Sequence, residues 1–209
     1  MTHVRPLPVI LVAALAAGCA ANGEEETSAP PMESSAPAPD VTLSAYSPGA
    51  APGDPVTLRA TGFEPSAPVQ FGFGPPESEY AVIETSDADA SGTAELTLAV
   101  PASASPGRAY VFVATGSGSS AKAISDPFYV TADDGILEIE GRVTDEGVEC
   151  VALRTDSGDL FTLAGADTDG LAPGDRVTVQ GSIAEMSFCQ QGITLAVTSV
   201  ERHGDDPGM

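Results

Sequence analysis

From Val41 to Thr131 the chain is a succession of short apolar stretches separated by turn residues, with no 3.6-residue repeat. The pattern predicts strands at Val41–Ala45, Val56–Ala60, Val69–Phe73, Tyr80–Thr85, Thr93–Val100, Ala109–Ala114 and Phe128–Thr131. The breaks carry Pro48-Gly49, Pro52-Gly53, Pro75-Pro76, Ser91-Gly92, Pro106-Gly107 and Gly116-Ser117-Gly118, where proline and glycine end one strand and turn the chain into the next. About seven short strands at such spacing predict a β-sandwich over residues 41–132. Residues 135–201 follow a different rhythm. Strands are predicted at Ile136–Val143, Cys150–Thr155, Leu160–Leu163, Arg176–Met186 and Ile193–Val200. Five strands with a long fourth, able to serve both sides of a closed sheet, predict a small barrel. Gly141 and Gly181 fall inside its strands, where a barrel must bend. The expected fold class is therefore all-β.

Local phrasing adds resemblances to this pattern. Pro52-Gly53-Asp54-Pro55-Val56-Thr57-Leu58, Thr61-Gly62-Phe63 and Pro106-Gly107-Arg108-Ala109-Tyr110 resemble the Ig-like domains of bacterial surface proteins. The segment has neither tryptophan nor a cysteine pair, so an antibody-type domain is excluded. Tyr110, following a Pro-Gly turn, is expected to place its ring in the core and its hydroxyl on backbone. Residues 135–201 resemble OB-like barrels of bacterial envelope proteins, and specifically an uncharacterised family. That likeness rests on Pro173 to Gly181, Val148 to Arg154 and Ser187 to Gly192, and it implies no activity.

The first residues follow neither rhythm. Arg5 precedes an apolar run from Pro8 to Ala17, which is too short to span a bilayer and has the layout of an export signal. It ends in Leu15-Ala16-Ala17-Gly18-Cys19, which resembles a bacterial lipobox, with Ala16 where leucine is usual. The resemblance implies removal of residues 1–18 and lipidation of Cys19, and so a membrane partner through the acyl chains. Residues 19–40 contain Glu24-Glu25-Glu26 and a Ser/Ala/Pro run. Their composition cannot build a core and predicts a disordered tether. Residues 202–209 are expected to form a disordered tail.

Charge and rare residues narrow the function. The chain has 30 Asp/Glu against 8 Lys/Arg, a formal charge of −22. Such a surface repels phosphate backbones, so nucleic acid is not an expected partner. With Cys19 acylated, Cys150 and Cys189 remain as an even pair in an oxidising compartment and are expected to form a disulfide. Of the two histidines, His3 leaves with the signal and only His203 is left. A multi-histidine metal centre is thereby excluded, and a catalytic triad would have to use that one residue.

The remaining candidates have plain structural readings beside them. Asp87-Ala88-Asp89-Ala90-Ser91-Gly92 matches the first half of a calcium loop, but Leu98 stands at the twelfth position where a bidentate Glu is required. The same residues suit a turn, and Asp167-Thr168-Asp169-Gly170 is a weaker match still. Glu138 and Glu140 share one face of a strand, as a carboxylate pair or as a solvated edge. Arg142, Arg154 and Arg176, with Phe161 and Phe188, are the groups an OB-like surface could offer a ligand. The sequence thus predicts a non-catalytic, lipid-anchored protein of the cell envelope, acting as a binding or scaffolding module without a cofactor. Its place is outside the cytoplasm: on the outer membrane of a Gram-negative source, otherwise on the outer face of the cell membrane. An envelope protein, peptide or glycan is the expected kind of partner. The alternatives are an extracytoplasmic hydrolase using carboxylates or His203, and a calcium-stabilised surface module.

Overall fold

The computed structural model describes residues 40–189 and 191–204. Cys19, the signal-like segment and the tether up to residue 39 lie outside them. Apart from one 3₁₀ turn at Ala166–Thr168, the regular structure is all β. The first nine strands are β1 (Thr42–Ala45), β2 (Gly49–Ala50), β3 (Pro55–Thr61), β4 (Pro68–Gly74), β5 (Ala81–Asp87), β6 (Ala94–Ala99), β7 (Ala109–Gly116), β8 (Lys122–Ile124) and β9 (Phe128–Val130). They form a three-stranded sheet, β1-β3-β6, and a six-stranded sheet, β2-β9-β7-β4-β5 with β8 on β7.

Two-residue alternation explains why these sheets face each other. In β3, Val56, Leu58 and Ala60 are buried while Arg59 is exposed; in β4, Val69, Phe71 and Phe73 point the same way. These side chains meet Phe112 and Phe128 in one core. Phe73 stacks on Tyr110 at 4.7 Å, and Phe112 meets Phe128 edge-on at 5.1 Å. The Tyr110 hydroxyl accepts a hydrogen bond from the Ser105 amide at 3.0 Å, so this tyrosine occupies the structural place its sequence context predicts. Two strands, β2 and β8, are absent from the sequence reading. With two and three residues they have no period to read, and they exist because β9 and β7 offer them edges.

The second group is β10 (Ile136–Thr144), β11 (Val151–Thr155), β12 (Leu160–Ala164), β13 (Arg176–Ile183) and β14 (Ile193–His203), closed into a barrel in the order β10-β11-β12-β14-β13. Only the β12–β14 pairing is parallel. Leu137, Ile139 and Val143 line the interior with Leu153, Phe161, Leu163, Val177, Val179 and Leu195. Closure brings backbones together at the two strand glycines. A Cβ on Gly141 would lie 2.5 Å from the Arg154 carbonyl oxygen, and one on Gly181, beside a bulge, 2.5 Å from that of Ala196.

The barrel corrects two expectations. The longest strand is the fifth, not the fourth: β13 ends at Ile183, whereas β14 has 11 residues and pairs with both β12 and β13. That double pairing also carries β14 past residue 201. Arg202 and His203 sit opposite Val177 and Arg176, so cross-strand bonding outweighs the polar composition that suggested a tail.

The two groups share one strand. In β9, Phe128 and Val130 face the two-sheet core, and alternation turns Tyr129 to the opposite face, against the barrel. Its ring meets Phe161 edge-on at 4.8 Å, so all three residues of β9 are buried.

Candidate functional site

Two loops of the barrel meet on its outside, residues 145–150 between β10 and β11 and residues 184–192 between β13 and β14. Cys150 and Cys189 join them in a disulfide, with Cα atoms 5.6 Å apart and 39 positions of chain between them. Further bonds hold each loop. Arg154 grips Glu146 with two parallel bonds, Nε to Oε2 at 2.9 Å and Nη2 to Oε1 at 2.8 Å. Hydrogen bonding from Arg154, with its charge, holds the Glu146 carboxyl below the ordinary carboxylate range. In the other loop, Ser187 Oγ accepts the Cys189 amide at 2.9 Å and the Thr194 hydroxyl at 2.8 Å. Thr194 is in turn 2.9 Å from the buried Thr162 hydroxyl. The second loop is thereby tied through three hydroxyls to the barrel wall.

This fixed rim presents apolar side chains to solvent. Val148 is 77 % exposed, Met186 92 % and Phe188 71 %. Val148 lies two residues from one half of the disulfide, Phe188 next to the other and Met186 three before it, which keeps all three in the neighbourhood of the cross-link. Asp145, Glu146, Glu149 and Glu185 are exposed around them. Single exposed apolar residues are ordinary, but three large ones on two cross-linked loops form a surface suited to contact.

The other sequence candidates are engaged elsewhere. Arg176 pairs with Glu140 at 2.8 Å and Asp156 at 2.9 Å; Arg142 donates to the Gly174 carbonyl at 2.8 Å. Glu138 accepts from Gln180 at 2.7 Å, so the Glu138 and Glu140 carboxylates take part in cross-strand pairing on an exposed face. Phe161 lies fully inside the barrel core and offers no stacking surface, which corrects its reading as a ligand-facing group; Phe188 is open to solvent. His203 Nε2 lies 2.8 Å from Thr178 Oγ1 on an exposed strand end. Asp89 Oδ1 accepts from the Ser91 hydroxyl and from the Ser91 and Thr93 amides at 2.6, 2.8 and 2.9 Å, which depresses its pKa and closes the β5–β6 turn. Among the described residues, no group of three or more His, Cys, Asp or Glu side chains is arranged to hold a metal ion.

Val148 and Met186 escaped the sequence reading. Both sit in turn-rich polar segments, and the apolar pattern places Met186 in a fourth strand that in fact ends at Ile183. Their proximity to the two cysteines was the available signal.

Residues 140–203, from within β10 to the last residue of β14, match the profile of a family described as a protein of unknown function (DUF5818). The match contains both loops and both cysteines. No curated protein matches the chain.

Proposed function

We propose that this is a non-catalytic binding module, held at the outer side of a cell membrane by a lipid on Cys19. An Ig-like two-sheet domain and an OB-like barrel follow a flexible tether. The lipobox-like Leu15 to Cys19 segment supports the anchor, and the strand order β10-β11-β12-β14-β13 supports the OB-like assignment. One observation carries the binding role: a disulfide-fixed rim holds Val148, Met186 and Phe188 in water. Pinned loops lose little conformational freedom on association, so apolar burial there converts efficiently into affinity. The acids around the patch select the occupant. Asp145, Glu149 and Glu185 complement a protein segment with apolar anchors flanked by Lys or Arg, while Glu146 already faces Arg154. Anionic lipid headgroups are repelled by the same acids.

Selection of a displayed peptide library on the immobilised mature protein tests this. Enriched peptides should combine aliphatic or aromatic anchors with flanking basic residues and should fail to bind Phe188→Ser. No enrichment, or equal binding to Phe188→Ser, removes the reading. Binding of the mature, unlipidated protein to phosphatidylglycerol vesicles through Phe188 would assign the rim to membrane instead. The anchor has its own test: palmitate should label the exported protein and should not label Cys19→Ala.

A further inference from the structure

A second site lies away from the rim, in a cleft of about 500 Å³ where the two-sheet unit meets the barrel. Ala45, Pro48 and Phe128 from one side and Leu160 and Ile193 from the other give it apolar walls. Its volume is that of small-molecule sites. Two carboxylates, Asp126 and Asp159, reach it, and no Lys or Arg lines it.

Acids alone do not make a site, but Tyr129 adds an independent sign. This residue lines the same cleft, is only 3 % exposed, and its hydroxyl, though close to Asp159, makes no hydrogen bond of good geometry. A buried hydroxyl left unmatched is costly, and native structures rarely leave one so. Burial first, then neighbouring Asp159, push the Tyr129 pKa upward, so the phenol stays neutral and the charge of the cleft is that of its carboxylates. Asp159 is half-buried, and its Oδ2 accepts from Ser157 Oγ at 2.7 Å, which orients the carboxylate.

We propose that this cleft binds a small organic cation, a primary alkylammonium with a short apolar body. The ammonium donates hydrogen bonds to Asp159 and to the Tyr129 oxygen, and the alkyl part lies against Leu160, Ile193 and Pro48. An ammonium has three donors and no acceptor, which matches a carboxylate beside a phenol oxygen; an anion finds no cationic partner there. The site is independent of the rim and stands or falls without it.

The test is titration of the isotope-labelled mature protein with n-butylammonium and with cadaverine, followed by amide NMR. Shifts should concentrate at Tyr129, Asp159, Leu160 and Ile193. Asp159→Asn should weaken binding about tenfold or more, as loss of a charge-assisted hydrogen bond implies. Tyr129→Phe, which keeps the ring packed on Phe161, should weaken it by a smaller factor, and Asp87→Asn should leave it unchanged. Neutral n-butanol should not bind. Absence of localised shifts at millimolar ligand would overturn the proposal. So would shifts spread over the acidic surface and unchanged in Asp159→Asn, or equal binding of n-butanol.

Discussion

The two-sheet unit and the barrel solve the same problem, an all-β core in a highly acidic chain, with different materials. Five of the seven phenylalanines are buried in the first unit, where Phe73, Phe112 and Phe128 interlock with Tyr110. The barrel has one buried phenylalanine, Phe161, among Leu, Ile and Val, and it adds a disulfide and a tyrosine from the neighbouring sheet. Large rings bury enough area to hold a sandwich without cross-links. A five-stranded barrel encloses less volume, so cross-linking the unfolded chain and borrowing Tyr129 make up the difference. The same cross-link keeps the rim loops in one arrangement. The disulfide therefore contributes both to the stability of the barrel and to the shape of its surface.

Substitutions can break this contrast at either end. Phe112→Ala opens a cavity among the interlocked rings and should cost about 3–5 kcal/mol in denaturant unfolding. Hydrogen exchange should report the loss first in β4 and β7. Removing the disulfide by Cys150→Ser with Cys189→Ser should cost on the order of 4 kcal/mol in the chain-entropy model. Here exchange should accelerate in β11 and β14 while β4 and β7 stay protected; equal loss in both units would refute the separate stabilisation of the two.

Tyr129→Phe removes an unmatched hydroxyl and keeps the ring, so stability at neutral pH should rise slightly, by about 1 kcal/mol or less. The same variant should change the alkaline limb. Because the folded phenol is held above its ordinary pKa of 10.0, the unfolded chain ionises first as pH rises. Stability linked to Tyr129 is complete below that value and is lost above it, by at most about 1.4 kcal/mol per pH unit. Urea midpoints between pH 9 and 11 should fall more steeply for the wild type than for Tyr129→Phe. The smallest effect should come from Asp89→Ala, which releases three hydrogen bonds of an exposed turn. Its melting temperature should drop slightly. Since hydrogen bonding depresses the Asp89 pKa, the wild type should lose this advantage as pH falls through that depressed value.

What could be read in the sequence followed from alternation and from counting. Val56, Leu58 and Ala60 announce a one-sided strand, and an even cysteine pair announces a disulfide. What could not be read depends on pairing between distant segments. Gly49–Ala50 become a strand only because Tyr129 and Val130 lie alongside. His203 extends β14 only because Arg176 is opposite and the Thr178 hydroxyl reaches its ring. Phe161 and Phe188 are the same residue type in similar polar-apolar contexts, yet one is sealed in the core and the other stands on the rim. Closure of the barrel decides which, and no local pattern contains it.

The triplet Phe128-Tyr129-Val130 also determines where this protein can be divided. A cut at the acidic Asp133-Asp134 step, where composition changes, would separate the barrel from the tyrosine that packs against Phe161. It would open the wall formed by Leu160 and Ile193 to water. A fragment beginning at the family match, residue 140, would lose the first four residues of β10 as well. The smallest portion that keeps the barrel's own packing intact must start before β9. The segment that matches the family is therefore shorter than the portion that carries the barrel's packing.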